Sequence, residues 1–169
     1  MCDFFKSVLQ IYRKYGIMLK AYDNWEELMN IIFLIKPKCE TAFLYCDDSI
    51  RQGLEKMHYH HYTAIPVIDH NGVYQGTMTE GDFLWYILNR NRENDAIHCD
   101  IRTTEHTDIS GLIRKDFNPP VNIYASMEDL LQRVMDQNFV PVIDDRGVFV
   151  GIITRKDVIR YFVEKDCKG

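Results

Sequence analysis

Pro66 to Asp82 reads PVIDHNGVYQGTMTEGD, and 75 residues later Pro141 to Asp157 reads PVIDDRGVFVGIITRKD. Nine of the seventeen positions are identical: Pro, Val, Ile, Asp, Gly, Val, Gly, Thr and Asp. Composition alone gives about one match in such a window. The chain therefore contains an internal duplication, and the reading of its unit decides the fold.

Each copy has the same physical layout. Ile65-Pro66-Val67-Ile68 is a short apolar run rich in β-branched residues, Asp69-His70-Asn71-Gly72 supplies turn chemistry, and Val73 to Met78 resumes as a second strand. This predicts a β-hairpin. Thr79-x-x-Asp82 then leads into Phe83, Leu84, Ile87 and Leu88, an apolar spacing that suits a helix. The second copy repeats the plan with Phe139 to Ile143, the turn Asp144 to Gly147, Val148 to Ile153, and Thr154-x-x-Asp157 ahead of Val158, Ile159, Phe162 and Val163.

A helix is also expected before each hairpin. Asp48-Ser49 caps a run with Ile50, Leu54 and Met57, and Ser126-x-x-Asp129 caps a run with Leu130, Leu131, Val134 and Met135. Strand-like pieces, Ala42 to Cys46 and Val121 to Ala125, precede those helices. The unit is strand, helix, hairpin, helix. One unit of roughly fifty residues buries little apolar surface alone, so two units are expected to share a core.

The rest of the chain divides around the repeats. Residues 1–28 carry Phe4, Val8, Ile11 or Tyr12, and Tyr15 at helical spacing, followed by a second helix start at Asn24, and form an N-terminal helical extension outside the repeat. Repeat 1 spans 29–90, a linker 91–116 and repeat 2 117–169. Met29 to Ile35 reads as strand-like, and the polar stretch from Asn89 to Thr107 as the connection between repeats. At about twenty residues that connection is long for a structureless loop. Thr107 to Ile113 is expected to form a short helix, and Asn118-Pro119-Pro120 an extended approach to the next strand.

Composition narrows the function classes. A net charge of -5 leaves no basic stripe for nucleic acid, and the longest apolar run, Ile31 to Ile35, falls far short of the ~20 residues of a membrane span. The first residues lack a basic region followed by a long apolar core, so no secretory signal is read and a cytoplasmic setting is expected. Five cysteines, an odd number without C-x-x-C spacing, suit reduced thiols. His58-x-His60-His61 reads as a polar helix tail rather than a metal site. No catalytic triad, Walker-type loop or H-E-x-x-H motif occurs, and a non-enzyme without a cofactor is expected.

The repeated Gly-x-x-Thr-x-x-Asp is where chemistry enters, as Gly76, Thr79, Asp82 and as Gly151, Thr154, Asp157. One reading is a capping box, in which Thr and Asp satisfy orphan N–H groups at a helix start. Another notes that a carboxylate only accepts hydrogen bonds, which suits two adjacent hydroxyls such as a ribose diol. Both hold together without conflict.

With these motifs the sequence resembles the cystathionine-β-synthase domain family, in the paired form called a Bateman module. The resemblance rests on Pro66-Val67-Ile68-Asp69-x-x-Gly72 with Gly76-x-x-Thr79-x-x-Asp82, and on Pro141-Val142-Ile143-Asp144-x-x-Gly147 with Gly151-x-x-Thr154-x-x-Asp157, and covers about residues 30 to 165. It implies an α+β fold in which two tandem β-α-β-β-α repeats pack through their sheets around a pseudo-twofold axis. It also implies a stand-alone bacterial regulatory module with clefts for an adenosine-containing ligand: AMP, ADP, ATP or cyclic di-AMP.

By that resemblance Thr79, Asp82, Thr154 and Asp157 hold ribose. Tyr62, Thr63, Ala64, Ile65 and Pro66 line the base in one cleft, and Asn138, Phe139, Val140 and Pro141 line it in the other. The residue after the motif Thr often faces phosphate. Glu80 stands there in one copy and Arg155 in the other, which favours phosphorylated ligands in the second cleft. Phe139, standing where Ala64 stands, either stacks on adenine or fills that pocket. The lesser basic pairs, Lys36-Pro37-Lys38 and Arg114-Lys115, are candidates for a cleft mouth or plain surface. A homodimer is expected, with an unidentified target protein. The competing reading is a structural or interaction dimer with vestigial clefts.

Overall fold

The computed structural model describes residues 31–93 and 101–166. Repeat 1 comprises β2 (Leu44–Tyr45), α1 (Ile50–His60), β3 (Ala64–Ile68), β4 (Tyr74–Thr79) and α2 (Glu80–Glu93). Repeat 2 follows the same order with β5 (Val121–Asn122), α4 (Met127–Asp136), β6 (Phe139–Ile143), β7 (Phe149–Thr154) and α5 (Arg155–Asp166). Outside this plan lie β1 (Lys36–Pro37) and α3 (Ile101–His106). The expected extension over residues 1–28 lies outside the described residues.

The turn residues shared by the two copies explain themselves. Asp69 Oδ1 accepts the Val73 amide at 2.9 Å, and Asp144 Oδ1 accepts that of Val148 at 2.8 Å. Gly72 and Gly147 follow at φ 83° and 79°, a left-handed conformation that glycine adopts without a Cβ penalty. Both predicted helix starts form full capping boxes, Ser49 with Gln52 and Ser126 with Asp129.

Two sheets result, in the orders β1-β7-β6-β5 and β2-β3-β4. The N-terminal strand β1 belongs to the sheet of repeat 2, with Lys36 opposite Ile152 and Pro37 opposite Gly151. Reciprocally, Arg114, just ahead of repeat 2, exchanges backbone hydrogen bonds with Thr77 on β4 of repeat 1, at 3.3 and 3.2 Å. Thr77 and Ile152 are 75 residues apart and so are equivalent. Each repeat thus lends its leading segment to the other.

This crossing explains the motif glycines. A Cβ on Gly151 would lie 2.1 Å from the Lys36 carbonyl oxygen, and one on Gly76 would lie 2.8 Å from that of Arg114. Only a residue without a side chain lets the backbones approach so closely.

The halves also join at their hairpin tips. Tyr74 N donates to Gly147 O at 3.0 Å and Phe149 N donates to Gly72 O at 2.8 Å, around the bridge of Val73 to Val148. Shifting each residue of the first bond by 75 positions generates the second. This reciprocity is a pseudo-twofold axis written in two hydrogen bonds.

Three apolar clusters lie among the described residues. Leu44, Ile50, Met57, Ile65, Val67, Met78, Phe83 and Ile109 form the core of repeat 1. Val121, Met127, Leu130, Val134, Val140, Val142, Ile153 and Val158 form that of repeat 2, joined by Ile31 and Ile35. Between them lie Ile68, Phe139, Phe149 and Ile152, with Phe43, Tyr45, Ala64 and Tyr74 packed alongside. Each fully buried aliphatic or Phe side chain contributes about 1.5–3 kcal/mol.

Three local expectations change. The strand-like stretch ending at Ile35 is a helical turn over residues 31–34. Ile31 and Ile35 enter the core while Phe33 stays 69% exposed, a spacing of four that a five-residue apolar run does not reveal. The expected loop after Asn89 is partly helical, because α2 continues to Glu93 and α3 occupies Ile101–His106. The short helix expected over Thr107 to Ile113 is a single 3-10 turn, Ser110–Leu112. Ile50 N to Thr107 O and Ile109 N to Asp48 O tie this connection to the start of α1.

Candidate functional site

Each motif threonine ends a strand and each motif aspartate lies in the first turn of the following helix. Thr79 N and Thr79 Oγ1 both donate to Asp82 Oδ2, at 2.8 and 2.7 Å, and Asp82 N donates back to Thr79 Oγ1 at 3.3 Å. Thr154 Oγ1 donates likewise to Asp157 Oδ2, and Asp157 N donates to Thr154 Oγ1 at 3.2 Å. The capping reading is therefore realised in both copies.

Capping occupies one carboxylate oxygen and leaves the other facing outward from the pair. Asp82 Oδ1 lies 3.9 Å from Arg114 Nη1, and Asp157 Oδ1 lies 3.6 Å from Arg160 Nη1, both beyond good hydrogen-bonding distance. The two aspartate side chains are 16% and 24% exposed, which shields them from bulk water without sealing them off. A ligand hydroxyl reaching Oδ1 would find an acceptor already oriented by the cap. Such charge-assisted bonds contribute roughly 1.5–3 kcal/mol.

Strand register decides what lies beside each threonine. Ala64 is paired with Thr79, and Phe139 with Thr154. Cross-strand partners share a sheet face, so Ala64 and Phe139 are the nearest base-lining candidates to their motifs. Pro66 and Pro141, two residues on, share that face. Ile65 and Val140 lie on the opposite face, fully buried in the cores of their own repeats, and offer only backbone to the face of Ala64 and Phe139. Alternation with period two separates these four candidates, a distinction that a list of neighbouring residues conceals. Thr63 and Asn138 are exposed, and their carbonyls extend the ladder by accepting the amides of Glu80 at 3.1 Å and Arg155 at 2.9 Å.

The two arginines near the motifs are held differently. Arg155 turns its guanidinium onto the C-terminal carbonyls of α4: Nε donates to Val134 O at 2.8 Å and Gln137 O at 3.2 Å, and Nη2 donates to Met135 O at 3.3 Å. A cation on the negative end of a helix is favourable in its own right. Arg114, a candidate for a cleft mouth or plain surface, stands beside Asp82 with its guanidinium 4.0 Å from the Phe117 ring centroid. Its signal lay in Gly76, whose missing side chain marks a backbone crossing there.

A cavity of about 400 Å³ lies between Phe117, Pro119 and the end of α4, lined also by Gln132, Arg133, Asp136 and Gln137. Neither motif aspartate lines it. Gln137 is 5% exposed, and its Oε1 has no hydrogen-bond partner while Nε2 reaches Pro119 O at 3.4 Å.

The sequence model of the CBS domain matches residues 37–89 and 109–164, both repeats and most of the chain. The chain belongs to the CBS domain family. Among solved structures it is similar to CbpB from Listeria monocytogenes in complex with c-di-AMP, with a TM-score of 0.70 at 18% identity over 83% of this chain and 99% of that one. It is also similar to a CBS domain protein from Streptococcus pneumoniae TIGR4, with a TM-score of 0.64 at 24% identity over 80% and 90% of the two chains. CBSX2 in complex with AMP matches with a TM-score of 0.64 at 22% identity over 80% of this chain and 97% of that one. At these identities the likeness concerns the fold, that of a pair of CBS repeats. Comparison with curated proteins gives no match. Among the described residues, no helix is long and apolar enough to cross a membrane.

Proposed function

We propose that this CBS pair is a non-enzymatic regulatory module that binds an adenosine-containing ligand between its repeats, AMP, ADP, ATP or cyclic di-AMP, and signals occupancy to a partner protein in the cytoplasm. The observation that carries this reading is the division of labour within each motif aspartate. One oxygen caps the helix and the other, largely shielded and without a close hydrogen-bond donor, is free to accept from a ribose diol. Two solved relatives of this fold carry AMP and c-di-AMP, which supports the same ligand class here.

In this reading Thr79 and Asp82, or Thr154 and Asp157, orient the ribose. Ala64 and Pro66, or Phe139 and Pro141, present the side chains nearest the base. Thr63, Ile65 and Val140 contribute backbone, and Arg155 reaches a phosphate only by leaving the carbonyls of α4. The protein pairs with a second copy through α2 and α5, where Leu84, Leu88, Ile159 and Val163 are 42–57% exposed. Leu84 and Ile159, like Leu88 and Val163, are repeat equivalents, so the pseudo-twofold axis sets two matching apolar faces.

A thermal-shift panel of AMP, ADP, ATP, S-adenosylmethionine, NADH and cyclic di-AMP tests the proposal. A ligand at a hundred times its dissociation constant adds about 2.7 kcal/mol of apparent stability. A shift with an adenosine ligand supports the sensor. No shift with any of them supports a structural dimer with vestigial clefts, a reading favoured by the burial of Phe139.

A further inference from the structure

We infer that the two clefts are unequal by construction and that only the one built on Thr79 and Asp82 takes a ligand. This inference rests on the adenosine-binding reading above and assigns that reading to one half of the molecule.

Three independent features separate the halves. The first is the side chain across from each motif threonine. Ala64 presents a single methyl group beside Thr79, whereas Phe139 presents a whole ring beside Thr154. Phe139 is 7% exposed and packs in the cluster between the repeats with Ile68, Phe149 and Ile152. An adenine entering there would have to expel a core aromatic side chain, and such interiors are packed too densely to yield a ring-sized volume.

The second is the polarity of the face behind those residues. Thr77 and Tyr74 follow in repeat 1 where Ile152 and Phe149 follow in repeat 2. The two hydroxyls of repeat 1 bond each other at 2.7 Å, and Tyr74 Oη donates onward to Asn118 O at 2.9 Å. Repeat 1 therefore backs its cleft with an ordered polar layer, and repeat 2 backs its own with hydrocarbon.

The third is the placement of cations. Arg114 lies against the Phe117 ring and 3.9 Å from Asp82, at the cleft rather than within a helix cap. A stacked guanidinium is restrained in position and suits a phosphate bidentately. Arg155, adjacent to Thr154, already donates to three carbonyls of its own repeat. The ligand class that fits is an adenosine nucleotide with at least one phosphate, its ribose on Asp82 and its phosphate on Arg114, at one equivalent per chain.

Isothermal titration of the full chain with AMP, then with cyclic di-AMP, reads this directly. The expected result is no more than one equivalent per chain, an affinity at least about tenfold weaker in Asp82→Ala, and a change within about twofold in Asp157→Ala. Asp82→Asn keeps an acceptor for the cap and guards against loss of the fold, and it is expected to weaken binding as well. Two equivalents of AMP per chain, or loss of binding in Asp157→Ala with retention in Asp82→Ala, overturns the inequality and leaves the adenosine reading standing. No heat with either probe, alongside a flat thermal-shift panel, overturns both.

Discussion

Ala64 and Phe139 occupy the same register position in the two halves of one interface, each directly across from its motif threonine. Around a true twofold axis those positions would be identical. Here a methyl group faces one motif and a phenyl ring faces the other, so the duplication that built the fold has diverged directly across from the motif threonines.

Ala64→Phe copies the second half onto the first. It is expected to abolish AMP binding while costing about 1–3 kcal/mol of stability, the usual penalty for overfilling a packed site. Titration calorimetry and a thermal melt on the same sample separate the two effects. Undiminished AMP affinity in a folded Ala64→Phe protein would show that the base lies elsewhere.

Gly151→Ala tests the exchange of leading strands. The added Cβ would sit 2.1 Å from the Lys36 carbonyl oxygen, so β1 must leave β7. Displacing it is expected to lower stability by about 3 kcal/mol or more. Gly111→Ala, where nothing lies within 4 Å of the new Cβ, is the control and is expected to stay within about 0.5 kcal/mol. Chemical denaturation of the two variants gives the comparison.

Much of the fold was legible because local chemistry and tertiary structure agree in the repeat. Asp69, Gly72, Ser49 and Ser126 each perform the local task their residue type announces. What was not legible depends on partners far away in sequence. The role of Arg114 beside Asp82 and the crossing of Lys36 over Gly151 join segments more than thirty residues apart. Arg155 shows the same dependence: next to the motif it reads as a phosphate ligand, and only the fold brings the end of α4 to it. The helical turn at 31–34 escaped because a short apolar run carries no period.

Tyr74 links the halves through its hydroxyl, and burial pushes its pKa up to about 12, with the hydrogen bond to Thr77 opposing the shift. The unfolded chain ionises near pH 10. Since the folded pKa is the higher, the stabilisation is fully present below about pH 10 and is lost as the pH rises toward 12. Tyr74→Phe, the residue that repeat 2 carries as Phe149, is expected to lose about 1–2 kcal/mol at neutral pH and to flatten the alkaline decline. Urea midpoints measured from pH 8 to 11.5 check both.

The apolar faces of α2 and α5 predict an oligomer. Leu84→Glu with Ile159→Glu is expected to shift the protein from dimer to monomer in sedimentation velocity, since both side chains are more than half exposed in the single chain. A wild-type protein that sediments as a monomer at micromolar concentration would remove this element.

The grip of Asp82 on a ribose diol is tested most directly by comparing AMP with 2′,3′-dideoxy-AMP on the wild-type protein and on Asp82→Ala. The wild type is expected to prefer AMP by roughly 10- to 150-fold, the equivalent of one charge-assisted hydrogen bond of about 1.5–3 kcal/mol, and Asp82→Ala is expected to bind the two equally. Equal affinities in the wild type, or a preference for AMP that survives in Asp82→Ala, would contradict it.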